Sequence, residues 1–463
     1  MSVQVKNKDK IIEISEMTFK LGFMLYSMLS FCSFTYGTKI ISIVLWPILL
    51  LGLFLCLWRV IHIKMFLNVP GFCFLVLFAL SYVVSLLVNI KYGYKDGIIK
   101  WIFLCFYFFL YYSYPKEIKR ERQRRDFKVL SLFYLFYIGI GSIISLSLMF
   151  IGYYKVYTIE NGWDIGLGLV WGRLWGIFSE PNYAAVCLVI AIILSVYYIK
   201  ITNKRVLKVL LGINILCALL HLSFTDSRTG VVSLAIMMSV YTFNLLNRKR
   251  ICKSESIKKS ICPLIVAILV MIITAAIPSV IVGGYNLTHK IIVDIKHEEM
   301  SHGEIDRGYS LESDPSNRRF SIWKAGLEIF ETSPVVGVSF SNVLAYTREN
   351  YPDSYLLNNS KGTNFSSIHN EVLNVLVGQG ILGVSILLGY IIYLIKLLIN
   401  GFYIGTDVEF QYKNMLFSGL AAIMAGAMFL TGMFYSNLPN AIMFWCILSE
   451  LVYEILYERK VYT

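Results

Sequence analysis

The sequence predicts an all-α integral membrane protein with about twelve transmembrane helices and one long extracytoplasmic loop containing an amphipathic helix. Three observations carry that expectation. The 463 residues are 57% hydrophobic and only 15% charged, where soluble domains carry roughly 25% charged residues, and the mean hydropathy is +0.65. Apolar runs long enough to cross a bilayer, about 20 residues at 1.5 Å each, recur along the whole chain. The Lys and Arg residues fall in bursts between those runs.

Taken in order, the runs lie near 19–36, 40–58, 70–89, 98–113, 129–152, 182–199, 206–222, 229–246, 261–283, 371–399, 414–435 and 437–457. The run at 98–113 is the shortest. With the N-terminus inside, the connections at 59–69, 114–128, 200–208, 247–260 and 400–413 face the cytoplasm, and every strong basic cluster falls in that set, as the positive-inside rule requires. The twelfth span returns Arg459 and Lys460 to the same side. The chain divides into about nine spans in 1–283, the long loop at 284–370 and about three spans in 371–463.

The net charge of +13 does not point to nucleic acid, because no soluble basic domain exists to bind it. The basic bursts read as orientation signals and contacts to anionic membrane lipids. Of nine cysteines, none lies in the long outward loop, so no disulfide framework is expected, and no cleavable signal peptide is expected either.

The outward segments differ in content. Residues 153–181 form a medium loop rich in Gly and Trp, and 223–230 form a short one. The 284–370 loop far exceeds ordinary connection lengths, so it calls for structure of its own. Asp314-Pro315 reads as a helix start, and Phe320, Trp323, Leu327 and Phe330 then form one apolar stripe until Pro334 stops it. An amphipathic helix packed on the bundle or lying at the headgroups fits this pattern.

Four outward stretches carry polar groups that could do chemistry. They are 171–182, with Arg173, Glu180 and Asn182; Asp226-Ser227-Arg228-Thr229-Gly230; Arg318-Arg319; and Ser367-Ile368-His369-Asn370-Glu371. Arg offers a permanently charged planar fork for phosphate oxygens, and His accepts a hydroxyl proton near neutral pH. Together they suit an anionic phosphate headgroup with a base beside it. Singly, each has a plainer reading. Arg173 or Arg228 is a snorkelling anchor, Arg318 and Arg319 a solvated helix start, His369 a hydrogen-bonded cap and Glu180 an acid favoured by a helix dipole. His297 and His302 are five residues apart, which takes them off one helical face, so no metal site is expected there. No cofactor motif is present.

In this order, the four stretches resemble the O-antigen ligase and Wzy-type polysaccharide polymerase superfamily, over roughly residues 165 to 435. The residues that carry the resemblance are Arg173, Gly176, Phe178, Pro181 and Asn182; Ser227, Arg228, Thr229 and Gly230; Arg319, Trp323, Pro334 and Gly337; and His369, Asn370, Gly380, Ile381, Leu382 and Gly383. The resemblance implies a metal-independent membrane glycosyltransferase acting at the outer face of the bacterial cytoplasmic membrane on a polyprenyl-pyrophosphate-linked glycan. It implies His369 as the base that deprotonates the acceptor hydroxyl. Arg173 and Arg228 would hold the donor pyrophosphate with help from Arg319, while Glu180, Asn182, Arg318 and Asn370 support them. Both termini are then cytoplasmic, and a chain-length regulator is a partner the resemblance admits.

Within the superfamily, a polymerase of repeat units is the first reading and a ligase transferring finished glycan to a terminal acceptor the second. A polysaccharide transporter or flippase is the competitor from another class. Against it stand the lack of paired half-repeats and the scarcity of acids deep in the spans. A non-catalytic scaffold would need no outward set of Arg and His.

Overall fold

The computed structural model describes residues 2–158, 164–252, 261–296, 303–305, 316, 318–359 and 362–462. Each of the twelve apolar runs coincides with a helix. They are α1 (Ser2–Phe31), α2 (Lys39–Ile61), α3 (Phe72–Val88), α4 (Lys95–Cys105), α5 (Arg120–Phe150), α6 (Pro181–Ile201), α7 (Arg205–Phe224), α8 (Arg228–Cys252) and α9 (Ile261–Lys296). After the long loop come α12 (Glu371–Gly401), α13 (Asp407–Ala427) and α14 (Pro439–Tyr462). Eight of them are long and apolar enough to cross a bilayer by length and composition. The shortest run is a helix that changes pitch: α4 continues as a π-helical stretch, Phe106–Tyr112, buried throughout.

Burial sorts the bundle into centre and rim. Of the apolar stretches, 89% of α14 and 72% of α6 are buried, against 22% of α2 and 17% of α9. The rim helices keep their apolar side chains outward, as lipid-facing helices do. Small residues let the central helices approach closely; a Cβ on Gly230 of α8 would sit 2.5 Å from that of Ala185 on α6.

At the end of the bundle carrying the basic loops, charges are buried in pairs. Arg120 of α5 bonds Glu409 and Glu458 at 3.0 Å each, Arg124 meets Glu454 at 2.6 Å, and Lys413 pairs with Glu458. Arg59 reaches Glu16 at 2.6 Å and also donates to the Phe109 carbonyl of the π-helical stretch. The sequence reading counts few acids deep in the spans. The fold buries Glu450, Glu454 and Glu458 on α14, spaced so that they line one helical face near this end.

Four expectations need correcting. Residues 154–176 are not a plain loop. They form a three-stranded antiparallel sheet, β1 (Tyr154–Thr158), β2 (Asp164–Val170) and β3 (Arg173–Gly176). β2 is covered on both faces from Ile165 to Gly168, and its glycines admit close neighbours, Trp175 over Gly166 and the Tyr153 backbone beside Gly168. The helix of the ninth run does not stop at 283, because α9 runs on to Lys296.

The loop helix α10 (Arg319–Thr332) exists, but its buried face is Ile322, Ala325, Gly326 and Ile329, with Phe320 and Leu327 left exposed. That face joins Val338, Val343 at the start of α11 (Val343–Asn350), Leu356, Phe365 and Ile368 in a small core belonging to the loop. The Asp314-Pro315 start lies outside the described residues, as do His297 and His302.

The run at 414–435 is helical only as far as Ala427. Residues 428–438 are an irregular strap, exposed at Met428 and buried at 430–432 and 434–435, and its backbone groups find partners in the neighbouring helices, the condition for non-helical chain inside a membrane protein. A second irregularity sits in α12, which breaks at Gly380 (φ 62°, ψ −162°). Loop residues fill the gap: Val338 N–H donates to the Val377 carbonyl at 2.9 Å, and Ile381 N–H to that of Pro334 at 2.8 Å. A Cβ on Gly380 would lie 2.3 Å from the Val335 oxygen, so only glycine admits the loop there.

Candidate active site

All four polar stretches end at helix N-termini on the side of the bundle opposite the basic loops. Glu180 caps α6, accepting the Tyr183 N–H at 2.9 Å, and Pro181 follows at the first helical position. Ser227 caps α8, accepting the Gly230 N–H at 3.2 Å, so that Arg228 is the first residue of that helix. Arg318 and Arg319 open α10, and Asn370 caps α12 through the Leu373 N–H at 3.1 Å.

Hydrogen bonds tie these ends together. Arg173 of β3 donates through Nε to the Thr225 carbonyl at 2.8 Å and through Nη2 to Asn182 Oδ1 at 2.9 Å. The same Asn182 oxygen accepts from Ser227 Oγ at 3.0 Å, and its amide nitrogen donates to Glu180 at 2.7 Å. Asn182 therefore joins the first stretch to the second. Arg319 joins the second to the third: its Nη2 donates to Thr229 Oγ1 at 3.0 Å. Its guanidinium also lies over the Phe429 ring of the strap, 5.0 Å from the centroid.

The fourth stretch reaches the others through that strap. Asn370 donates to the Met428 carbonyl at 3.1 Å, and Glu371 accepts the Gly432 and Phe434 N–H groups at 2.9 and 2.8 Å. Asn374 holds both sides, accepting the Ile368 N–H at 2.8 Å and donating to Thr431 Oγ1 at 2.8 Å. Tyr183 of α6 closes the circuit by accepting the Thr431 N–H at 3.1 Å.

His369 stands between Ile368 and Asn370 at φ 50°, its ring edge-on to Phe365 at 5.6 Å. Burial and, after it, the Arg319 charge push its pKa down to about 4. The imidazole is thus neutral near pH 7 and able to accept a proton. Among the described residues, five that are not glycine have positive φ: Trp171, Asp226, Arg318, Ser339 and His369. Four of these fall in the four polar stretches, and the fifth lies beside the break in α12. Backbone strain of this kind collects where a site over-determines the chain.

Of the residues chosen from sequence, the structure links Arg173, Glu180 and Asn182 directly, links Arg319 to the α8 cap through Thr229, and brings Arg319 close enough to His369 to shift its pKa. Arg228 and Arg318 hold helix-opening positions beside them, Arg318 at φ 69°. Sequence reasoning passed over the strap, Asn374, Tyr183 and Thr431. The available signal was the run Asn370, Glu371 and Asn374, three polar side chains opening an apolar span.

Residues 213–388 match the family model described as O-antigen ligase. No curated protein matches the chain. The matched stretch begins in α7, ends in α12 beyond its break and contains Arg228, Arg319 and His369, while Arg173 precedes it. That match covers less than half of a multi-pass helical membrane protein, and it supports the resemblance to the O-antigen ligase and Wzy-type polysaccharide polymerase superfamily.

Proposed function

We propose that this protein is a glycosyltransferase of the bacterial cytoplasmic membrane that polymerises polyprenyl-pyrophosphate-linked repeat units at the outer face. The observation that carries the reading is the convergence of three elements: a neutral, strained histidine, a guanidinium close enough to depress its pKa, and four helix N-termini joined by hydrogen bonds. Helix N-termini and arginine forks both favour anions. Arg173, Arg228 and Arg319 would hold the donor pyrophosphate and supply the charge neutralisation that a metal ion gives elsewhere. Arg318, Glu180, Asn182 and Asn370 would fix the helix ends that present them.

In the reaction, the acceptor hydroxyl oxygen attacks the anomeric carbon of the donor sugar. Its proton passes to an imidazole nitrogen of His369. The bond from that carbon to the pyrophosphate oxygen breaks, and polyprenyl pyrophosphate leaves with the bonding electron pair. Negative charge grows on the departing phosphate, where fixed cations lower the barrier. Membrane anchoring of the lipid donor brings it to the site in two dimensions. A phosphate bound against Arg319 also offsets the charge that depresses the His369 pKa, so donor binding strengthens the base.

The second reading, a ligase that moves finished glycan to a terminal acceptor, draws support from the description of the matching family. One experiment separates the two. In a deletion strain complemented with wild type or His369→Ala, the surface-glycan ladder and the lipid-linked pool are measured. Single lipid-linked repeats accumulating in deletion and mutant support the polymerase. Full-length polymer stranded on its carrier supports the ligase. An unchanged ladder and pool in the deletion strain, with no redundant enzyme present, would sink glycan transfer altogether.

A further inference from the structure

We infer that the β2–β3 hairpin carries a sugar-stacking subsite, formed by Trp171 against Trp175, for the pyranose ring linked to the donor pyrophosphate. The inference rests on the proposed function and adds to it a binding surface for the glycan.

Trp171 is 58% exposed, a large apolar side chain left open at the turn that leads into Arg173. Its backbone is left-handed, φ 51°, and Gly172 after it is left-handed too, φ 66°. A bulky aromatic residue rarely adopts that conformation, and it fixes the direction in which the indole leaves the turn. The ring meets Trp175 edge-on, centroids 5.6 Å apart and planes at 70°.

Trp175 is itself positioned by the sheet. It lies over β2 where the chain has Gly166, whose Cβ would come within 2.7 Å of the indole. On β3, Arg173 and Trp175 flank buried Leu174, and the β2–β3 register slips at Trp175, which has no partner of its own on β2.

The hairpin therefore offers, two residues apart in sequence, an exposed aromatic plane at Trp171 for the C–H face of a pyranose and the Arg173 guanidinium for phosphate. A tryptophan that merely anchors the hairpin among lipid headgroups would need neither the fixed backbone direction nor the edge-on support.

The test uses full-length protein in lipid nanodiscs and two probes. One is C55 polyprenyl pyrophosphate without sugar; the other is the glycan-loaded lipid extracted from the deletion strain. Trp171→Ala is expected to weaken binding of the loaded lipid roughly tenfold, the size of one good aromatic contact. It should leave the bare pyrophosphate within about twofold, and Trp171→Tyr should restore most of the loss. Equal weakening of both probes, or of neither, overturns the subsite; the second result is what a lipid anchor would give. If wild type fails to bind the bare pyrophosphate and Arg173→Ala changes nothing, the phosphate site itself is wrong, and the subsite falls with it.

Discussion

Arginine is used in opposite ways at the two ends of this bundle. At the basic end, Arg120 and Arg124 project from α5 into three glutamates on α13 and α14, and Lys413 pairs with Glu458 beneath them. The charges nearly cancel, and the pairs cross-link three helices. At the other end, Arg228 and Arg319 occupy the first positions of α8 and α10, where the helix dipole already concentrates positive potential and acids are the usual choice. Arg173 adds to it from β3, bonded to a neutral carbonyl and a neutral amide oxygen. One end spends its cations on holding helices together. The other gathers cations at helix N-termini, and under the proposed function that is where an anionic donor would be held.

Single substitutions at the two ends should separate along the same line. Arg319→Ala is expected to lower transfer activity about a hundredfold or more, the usual consequence of losing one fixed charge aimed at a developing anion, with little change in thermal stability. Glu454→Ala should do the reverse. It removes the glutamate that Arg124 bonds and one of the three around Arg120, which costs about 1.5–3 kcal/mol, while each molecule that still folds keeps near-normal turnover. Melting curves in detergent, read beside activity per folded molecule, test both. The contrast fails if Glu454→Ala abolishes turnover in protein that remains folded.

The histidine sharpens the comparison further, because its pKa reports the potential at the working end. Protonation removes the base, so activity is lost as pH falls through the folded-state value. In the empty enzyme that value is about 4, depressed first by burial and then by Arg319. The acid limb of kcat/KM should therefore lie near that pH. Donor phosphates oppose the Arg319 charge, so the acid limb of kcat should sit at higher pH. Arg319→Gln removes the like charge and should move the kcat/KM limb upward, though not to the ordinary 6.5, since burial persists. Identical limbs in wild type and variant would mean that Arg319 does not face His369 in solution.

What could be read from sequence follows from how local each signal is. The spans and the basic clusters are local, and each of the twelve runs coincides with a helix over most of its length. The four polar stretches were visible because polar side chains at the edges of apolar runs are conspicuous. The small sheet was legible too, in the alternation Ile165-Gly166-Leu167-Gly168-Leu169, but the glycines made the segment look like a loop. The stripe on α10 was misplaced by periodicity alone. Phe320 and Leu327 share helical spacing with Trp323 and Phe330, yet Ile322, Ala325 and Ile329 are smaller and pack into the loop core. The strap at 428–438 had no local mark. Its apolar composition continues that of α13, and only partners far off in sequence, Tyr183, Glu371 and Asn374, decide that it is not helical.

Those distant partners supply the smallest of the expected effects and the finest test of how the working end is held. Asn374 accepts the Ile368 N–H next to His369 and donates to Thr431 in the strap, so it sets the histidine loop against the Arg319–Phe429 contact. Asn374→Asp keeps the acceptor and loses the donor; Thr431→Val removes the oxygen at the other end of the same bond. Each should lower kcat about three- to tenfold and stability by about 1 kcal/mol, the net worth of one buried hydrogen bond. Because both break one bond, the double variant should be little worse than either single one, a coupling that a double-mutant cycle measures directly. Ordinary additivity would show that the strap and the histidine loop are held independently. The path from the arginines to the base would then run through the Arg319 charge alone.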